Sequence, residues 1–379
     1  MRRNYISFFF TYFVVNVVTV FINVYLPVYY FQILNINREN LAFVQIFSYS
    51  AFLVKPIISI YFDTNESQKR ILAIASAYGI IISFGLMIFI LPLLILFGIL
   101  LAMNFAFLSL LDVSVDKFLV KSPKKDNIVD KNIIFTQVGA VCGTIFTNIA
   151  FLLFVSDIYK LIYWNNFTIF LLIGIIPIGG IIWLLREKEK DSPVESEPTK
   201  WGDIDKKSIV LMSLFIFLVY GDKLYEYPLE PWILEKFGEH LFAVFVQLLI
   251  LMVFINLIGL ILAGVISKKF NRKKILIISS LSYGLISLIV PFVSVLWFFL
   301  LFGILQIIAS FIIINMMRIM INLANKKVTY FQVMAAFVFL AQVIFVPLGT
   351  YLSAFIVTES IIILSGILII GSVIPLLFL

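Results

Sequence analysis

Cysteine, histidine and charge are nearly missing from this chain. Cys142 is the one cysteine and His240 the one histidine in 379 residues, so neither a disulfide framework nor a histidine-rich metal site can be assembled. The sequence has no phosphate-binding loop ending in Gly-Lys-Ser/Thr, no nucleophile motif and no Cys/His cluster. ATP drive is thereby unsupported, and the expectation is a protein that is not an enzyme and has neither cofactor nor metal. Charged residues make up 13%, against about 25% in soluble domains. What is abundant is apolar surface: 62% hydrophobic residues, 16% aromatic, and a mean hydropathy of +1.11. Such a composition describes a polytopic membrane protein whose first partner is the lipid bilayer. The excess of 28 Lys+Arg over 21 Asp+Glu then speaks to orientation and not to nucleic acid.

The charge that exists is concentrated. Between Arg186 and Lys207, 13 of 22 residues are charged, and this stretch cannot lie in hydrocarbon. It divides the chain into a first half (1–185), a linker (186–207) and a second half (208–379). Each half has room for six apolar runs: about 5–31, 41–62, 71–91, 92–111, 133–155 and 166–185, then 208–231, 241–266, 275–294, 296–317, 329–356 and 360–379. Each run can cross a core of about 30 Å at 1.5 Å per residue. The first, of about 27 residues, is too long for a signal-peptide core and is expected to be retained. Placing both termini in the cytoplasm of a cell-membrane protein puts 23 of the 28 Lys+Arg into cytoplasmic segments and only Arg38, Lys160 and Lys236 into the opposite loops.

The halves echo one another. Lys69-Arg70-Ile71-Leu72-Ala73-Ile74 follows the second run, and Lys273-Lys274-Ile275-Leu276-Ile277-Ile278 follows the eighth, 204 positions later. Uncharged turns fall at corresponding places, Ile90 to Pro92 and Pro291 to Val295. The expected fold is an all-α membrane protein of twelve transmembrane helices in two six-helix repeats, the plan of the major facilitator superfamily.

Four segments carry a narrower resemblance. Lys55-Pro56-Ile57-Ile58-Ser59-Ile60-Tyr61-Phe62-Asp63, Leu111-Asp112-Val113-Ser114-Val115-Asp116, Tyr220-Gly221-Asp222 and Asn325-Lys326-Lys327-Val328-Thr329-Tyr330-Phe331-Gln332 resemble, in order, landmarks of the AmpG-type muropeptide permeases and the acetyl-coenzyme A transporters. The resemblance implies a permease, with a muropeptide-like amino-sugar compound as first guess for its solute. The chain departs from the group at Leu111, where a glutamine is usual, and at Ser267, where an aspartate is expected.

Charges within the runs stand out independently, since each costs about 2.5–3.5 kcal/mol at the centre of a membrane helix. Lys55 and Asp112 lie roughly 12–14 Å in from the cytoplasmic end, by helical rise. Lys55 is expected to pair with Asp112 or Asp116, with Asp63 and Arg318 completing a cytoplasmic gate. The same charges could also form a static pair that never opens. In the seventh run Asp222, Glu226 and Glu230 are spaced i, i+4, i+8 and form one stripe if the run is one helix, with Lys223 in reach of Glu226. Pro228 and Pro231 should kink or break its outer end. This set is the expected coupling and substrate site, with Asp222 taking the proton, because desolvation and a like charge one turn away favour the protonated carboxyl. The alternative is that the outer carboxylates, Glu230 first, are solvated. Polar stripes Asn16, Thr19, Asn23 and Gln137, Thr144, Asn148, with Asn104, are expected to line a cavity or else to bond helix to helix. Gly139 and Gly143 read as close packing, His240 as a loop residue, and Tyr5, Tyr12, Tyr29, Tyr30, Tyr159, Tyr163 and Trp164 as interfacial anchors.

The function expected is proton-coupled symport of a small polar or amphipathic solute by a monomeric secondary transporter. A non-transporting or facilitative protein on the same fold, its charges serving as structural pairs, is the alternative.

Overall fold

The computed structural model describes residues 2–26, 29–30, 34–64, 69–90, 93–120, 126–155, 161–176, 205–238, 242–325 and 327–379. The linker at 186–207 thus lies outside the described residues except for its last three, as does His240.

Every expected span is represented by a helix. Among the described residues eight helices are long and apolar enough to cross a membrane, at 8–25, 38–60, 94–116, 131–154, 272–292, 295–324, 328–352 and 358–378. Shorter apolar helices at 75–87, 162–175 and 250–266 fill the third, sixth and eighth places. The seventh is made of two pieces, Lys206–Val219 and Leu229–Phe237, and completes twelve. Spans of corresponding number begin in step in the two halves: Lys69 and Arg272, Leu94 and Val295, Asp126 and Val328.

Local chemistry sets the starts. Asn37 accepts a hydrogen bond from the Glu39 amide and opens the second span; Asn271 accepts from the amides of Lys273 and Lys274 and opens the ninth. Asp205 does the same for the seventh, where the hydroxyl of Ser208, then its amide, hold the exposed carboxyl below its usual range.

Packing inside each half rests on a glycine contact between its first and fifth spans. A Cβ on Gly143 would strike the Phe13 carbonyl, and one on Gly349 the Leu224 carbonyl, so spans one and five, and seven and eleven, touch backbone to backbone.

Tyr29, Tyr30 and Trp164 are not interfacial anchors: they are buried with Tyr25, Phe151 and Phe167 in an aromatic core of the first half. Span one lies inside the bundle, so its aromatic residues meet protein where the anchor pattern assumes headgroups. The side chains of Tyr5 and Tyr159 lie outside the described residues.

Three spans lose regular α-helix at mid-length. Phe21–Tyr25 in the first is a wide π turn, and Ser50–Val54 in the second is a 3-10 stretch. In the seventh, Tyr220–Leu224 is 3-10 and 225–228 is turn. Pro56 accounts for the second break, since it removes a donor and crowds the carbonyl four residues back. Irregular backbone at membrane depth is tolerated only where it is buried in protein or faces a cavity.

Candidate functional site

The three breaks converge. Asn23, on the π turn, donates to Glu226 Oε1 at 3.1 Å and accepts from the Tyr49 hydroxyl at 2.6 Å. Lys223 donates to the same Oε1 at 2.5 Å, and the Tyr227 hydroxyl donates to the Ile22 carbonyl at 3.0 Å. One hydrogen-bonded chain, Tyr49–Asn23–Glu226–Lys223, therefore runs from span two through span one into span seven and joins the halves. Tyr220 and Tyr283 stand beside Asp222. The set is incompletely satisfied: Glu226 Oε2 and Asp222 Oδ1 are buried with no hydrogen-bond partner among the described residues.

This geometry corrects the expected stripe. Asp222 and Glu226 are not on one face of one helix, because the helix stops at Val219, ahead of both. The expected break in this span is present, but it lies at 220–228, and the prolines mark its outer limit. Pro228 caps the outer helix and Pro231 lies in its first turn, where no backbone donor is needed, so they start a helix. The side chain of Glu230 lies outside the described residues.

A second charged group lies roughly 10 Å from Tyr49 along span two, toward the end of the bundle where the basic loops gather. Lys55, 1% exposed, is ion-paired to Asp112, and its ammonium sits 3.5 Å from the centroid of the Phe339 ring in span eleven. One turn on, Asp116 accepts from the Tyr12 hydroxyl at 2.9 Å and from the Gln332 amide at 2.8 Å. Tyr12, expected as an anchor, is thus part of this cluster. Gln332 and Phe339 come from the second half, so this cluster also crosses between halves. Arg318 is buried on span ten, and Asp63 lies in the last turn of span two with its side chain outside the described residues.

The opposite end is bridged as well. Arg38 reaches Glu235 at 3.6 Å and the Ser353 carbonyl at 2.8 Å, while Lys236 approaches Glu359 at 3.7 Å and donates to the Pro291 carbonyl at 2.6 Å.

The polar stripes divide. Asn23 belongs to the central chain, and Gln137 reaches the Met317 sulfur across the halves at 3.6 Å. Asn148 accepts from Tyr25, and Asn104 donates to Ser83; both are joints inside the first half. Asn16, Thr19 and Thr144 bond to carbonyls of their own helices. The bonding roles of Tyr49, Tyr12, Gln332 and Phe339 escape sequence reasoning, since their partners lie on other spans and no local spacing marks them.

No family model matches the chain, and no curated protein does, so the muropeptide-permease resemblance rests on its four segments alone. Solved structures do match. A singly substituted form of the E. coli fucose:proton symporter FucP aligns with 100% of this chain and 97% of its own at TM-score 0.67 and 13% identity. FucP in an outward conformation, described as a major facilitator superfamily transporter, aligns with 99% of this chain and 97% of its own at TM-score 0.68 and 14% identity. From end to end, the chain has the major facilitator fold.

Proposed function

We propose that the protein is a secondary transporter that moves a small polar solute across the cell membrane by alternating access, coupled to protons through Asp222. The observation that carries the reading is the central chain Tyr49–Asn23–Glu226–Lys223. It links the halves where three spans are irregular, and it leaves two buried carboxylate oxygens unsatisfied among the described residues. A purely structural pair has no use for such free acceptors, whereas a site that takes and releases ligands does. Both termini are placed in the cytoplasm, the unit is a monomer, and the chemistry assigned is transport and not catalysis. The likeness to a fucose:proton symporter supports coupling to protons, and the four landmark segments keep amino-sugar peptides among the solutes to be tried.

The test is uptake into proteoliposomes across a panel of sugars, amino-sugar peptides, amines and nucleotides, with and without a pH gradient. Gradient-driven movement of a solute that is lost in Asp222→Asn supports the reading. Gradient-driven movement that survives both Asp222→Asn and Glu226→Gln removes these carboxylates from coupling.

A further inference from the structure

The solute's charge can be argued from the same site, and the argument rests on the transporter reading above. Two carboxylates, Asp222 and Glu226, face one cation, Lys223, and that cation is committed to Glu226 at 2.5 Å. The groups facing Asp222 are Tyr220, Lys223 and Glu226 from its own span and Tyr283 from the ninth. Spans eleven and twelve pack against this segment through Gly349, and through Ser365 and Leu368, and these contacts bring no charge to it. Among the described residues one negative charge is therefore uncompensated, in a region where an isolated ion is strongly disfavoured.

The free positions are acceptors. Glu226 Oε2 and Asp222 Oδ1 both call for a donor. Independently, Gln45, 1% exposed, has neither amide atom bonded among the described residues; it lies one turn before Tyr49 on the same buried face of span two. Tyr30, also 1% exposed, has a hydroxyl without a partner among the described residues and lies near Tyr227, which in turn neighbours Tyr49. Tyr220 and Tyr283 stand near Asp222 and Tyr49 near Glu226, and tyrosine rings attract cations.

We infer that the solute is an organic cation whose ammonium group binds between the free oxygens of Asp222 and Glu226, beside these tyrosines. A neutral polyol would leave the extra negative charge in place, and an anion would add to it. An ammonium supplies both the charge and the donors. Proton and solute then compete for the same carboxylate, so the cycle supported by the site is exchange of one for the other, in place of the symport expected from sequence.

Binding can be read without transport, on the purified full-length protein in detergent, by calorimetry with two matched sets of probes. One is ethanolamine, ethylene glycol and glycolate; the other is tyramine, its neutral alcohol and its carboxylate. At least one amine should bind at least tenfold more tightly than its neutral and anionic counterparts. In the unaltered protein its affinity should fall as the pH is lowered, by up to about tenfold per unit for one exchanged proton. Asp222→Asn should weaken binding at least tenfold and flatten that dependence. Equal or better binding of the neutral or anionic members, no amine binding in either set, or affinity indifferent to pH would each overturn the inference. An amine that binds as expected but is never moved into proteoliposomes overturns the transporter reading instead. Proton-coupled movement of neutral solutes only leaves that reading standing and removes this one.

Discussion

Asp116 of the fourth span accepts a hydrogen bond from Gln332 of the eleventh across 2.8 Å, a bond between residues 216 positions apart that ties the two halves near the basic end. The halves cannot separate there without breaking it, and the Tyr12 hydroxyl on the other carboxylate oxygen stays with the first half.

Gln332→Leu should accordingly favour the form open at the basic end. A hydrogen bond to a charged group is worth about 1.5–3 kcal/mol, which corresponds to roughly a 10- to 150-fold shift between two states. Spin labels on the two halves near this end should show a longer distance distribution in the variant. An unchanged distribution would mean that the bond does not hold the halves.

The Lys55–Asp112 pair should behave as a buried ion pair. Lys55→Met alone leaves a carboxylate unpaired and should cost about 3–5 kcal/mol, seen as lost expression or a lowered Tm in detergent. Lys55→Met with Asp112→Leu should recover most of the loss. Single and double variants that are equally damaged would refute the pairing as the source of stability.

Gly349→Ala puts a methyl group onto the Leu224 carbonyl and should destabilise by about 1–3 kcal/mol. Gly371→Ala, with nothing within 4 Å of the added carbon, is the control and should leave stability within about 0.5 kcal/mol of the parent, with Tm nearly unchanged. Similar Tm values for the two would contradict the backbone contact between spans seven and eleven.

Orientation can be read by labelling. With Cys142 replaced, single cysteines at Ser196 and Asn37 should react from opposite sides of an intact membrane, Ser196 from within. Reaction of both from outside would exclude the arrangement drawn from the basic residues.

Local pattern was enough for the spans and for contacts within one of them. Apolar length set the twelve helices, and the i, i+3 spacing of Lys223 and Glu226 predicted a pair that the structure contains. Helical spacing failed where the helix itself failed: the stripe through Asp222 and Glu226 presumes regular turns that end at Val219. It was also silent on Gln332 and Phe339, because their roles arise only when the second half is laid against the first. Tyr12 and Tyr30 were misread for a related reason, since a tyrosine near a span end looks the same whether lipid or protein surrounds it.

Asn23 has a further consequence. Its oxygen is occupied by the Tyr49 hydroxyl, so its amide nitrogen is obliged to face Glu226. The side chain is thus a directional relay: neutralising Glu226, or drawing it toward a ligand, releases the nitrogen, frees the amide to turn, and slackens its hold on Tyr49. An event at a carboxylate in the second half is in this way transmitted to the second span, a few residues ahead of Pro56 and Lys55, with no need for either backbone to move first. Asn23→Asp would silence that relay while preserving its shape, since an acid there has no donor to offer when ionised.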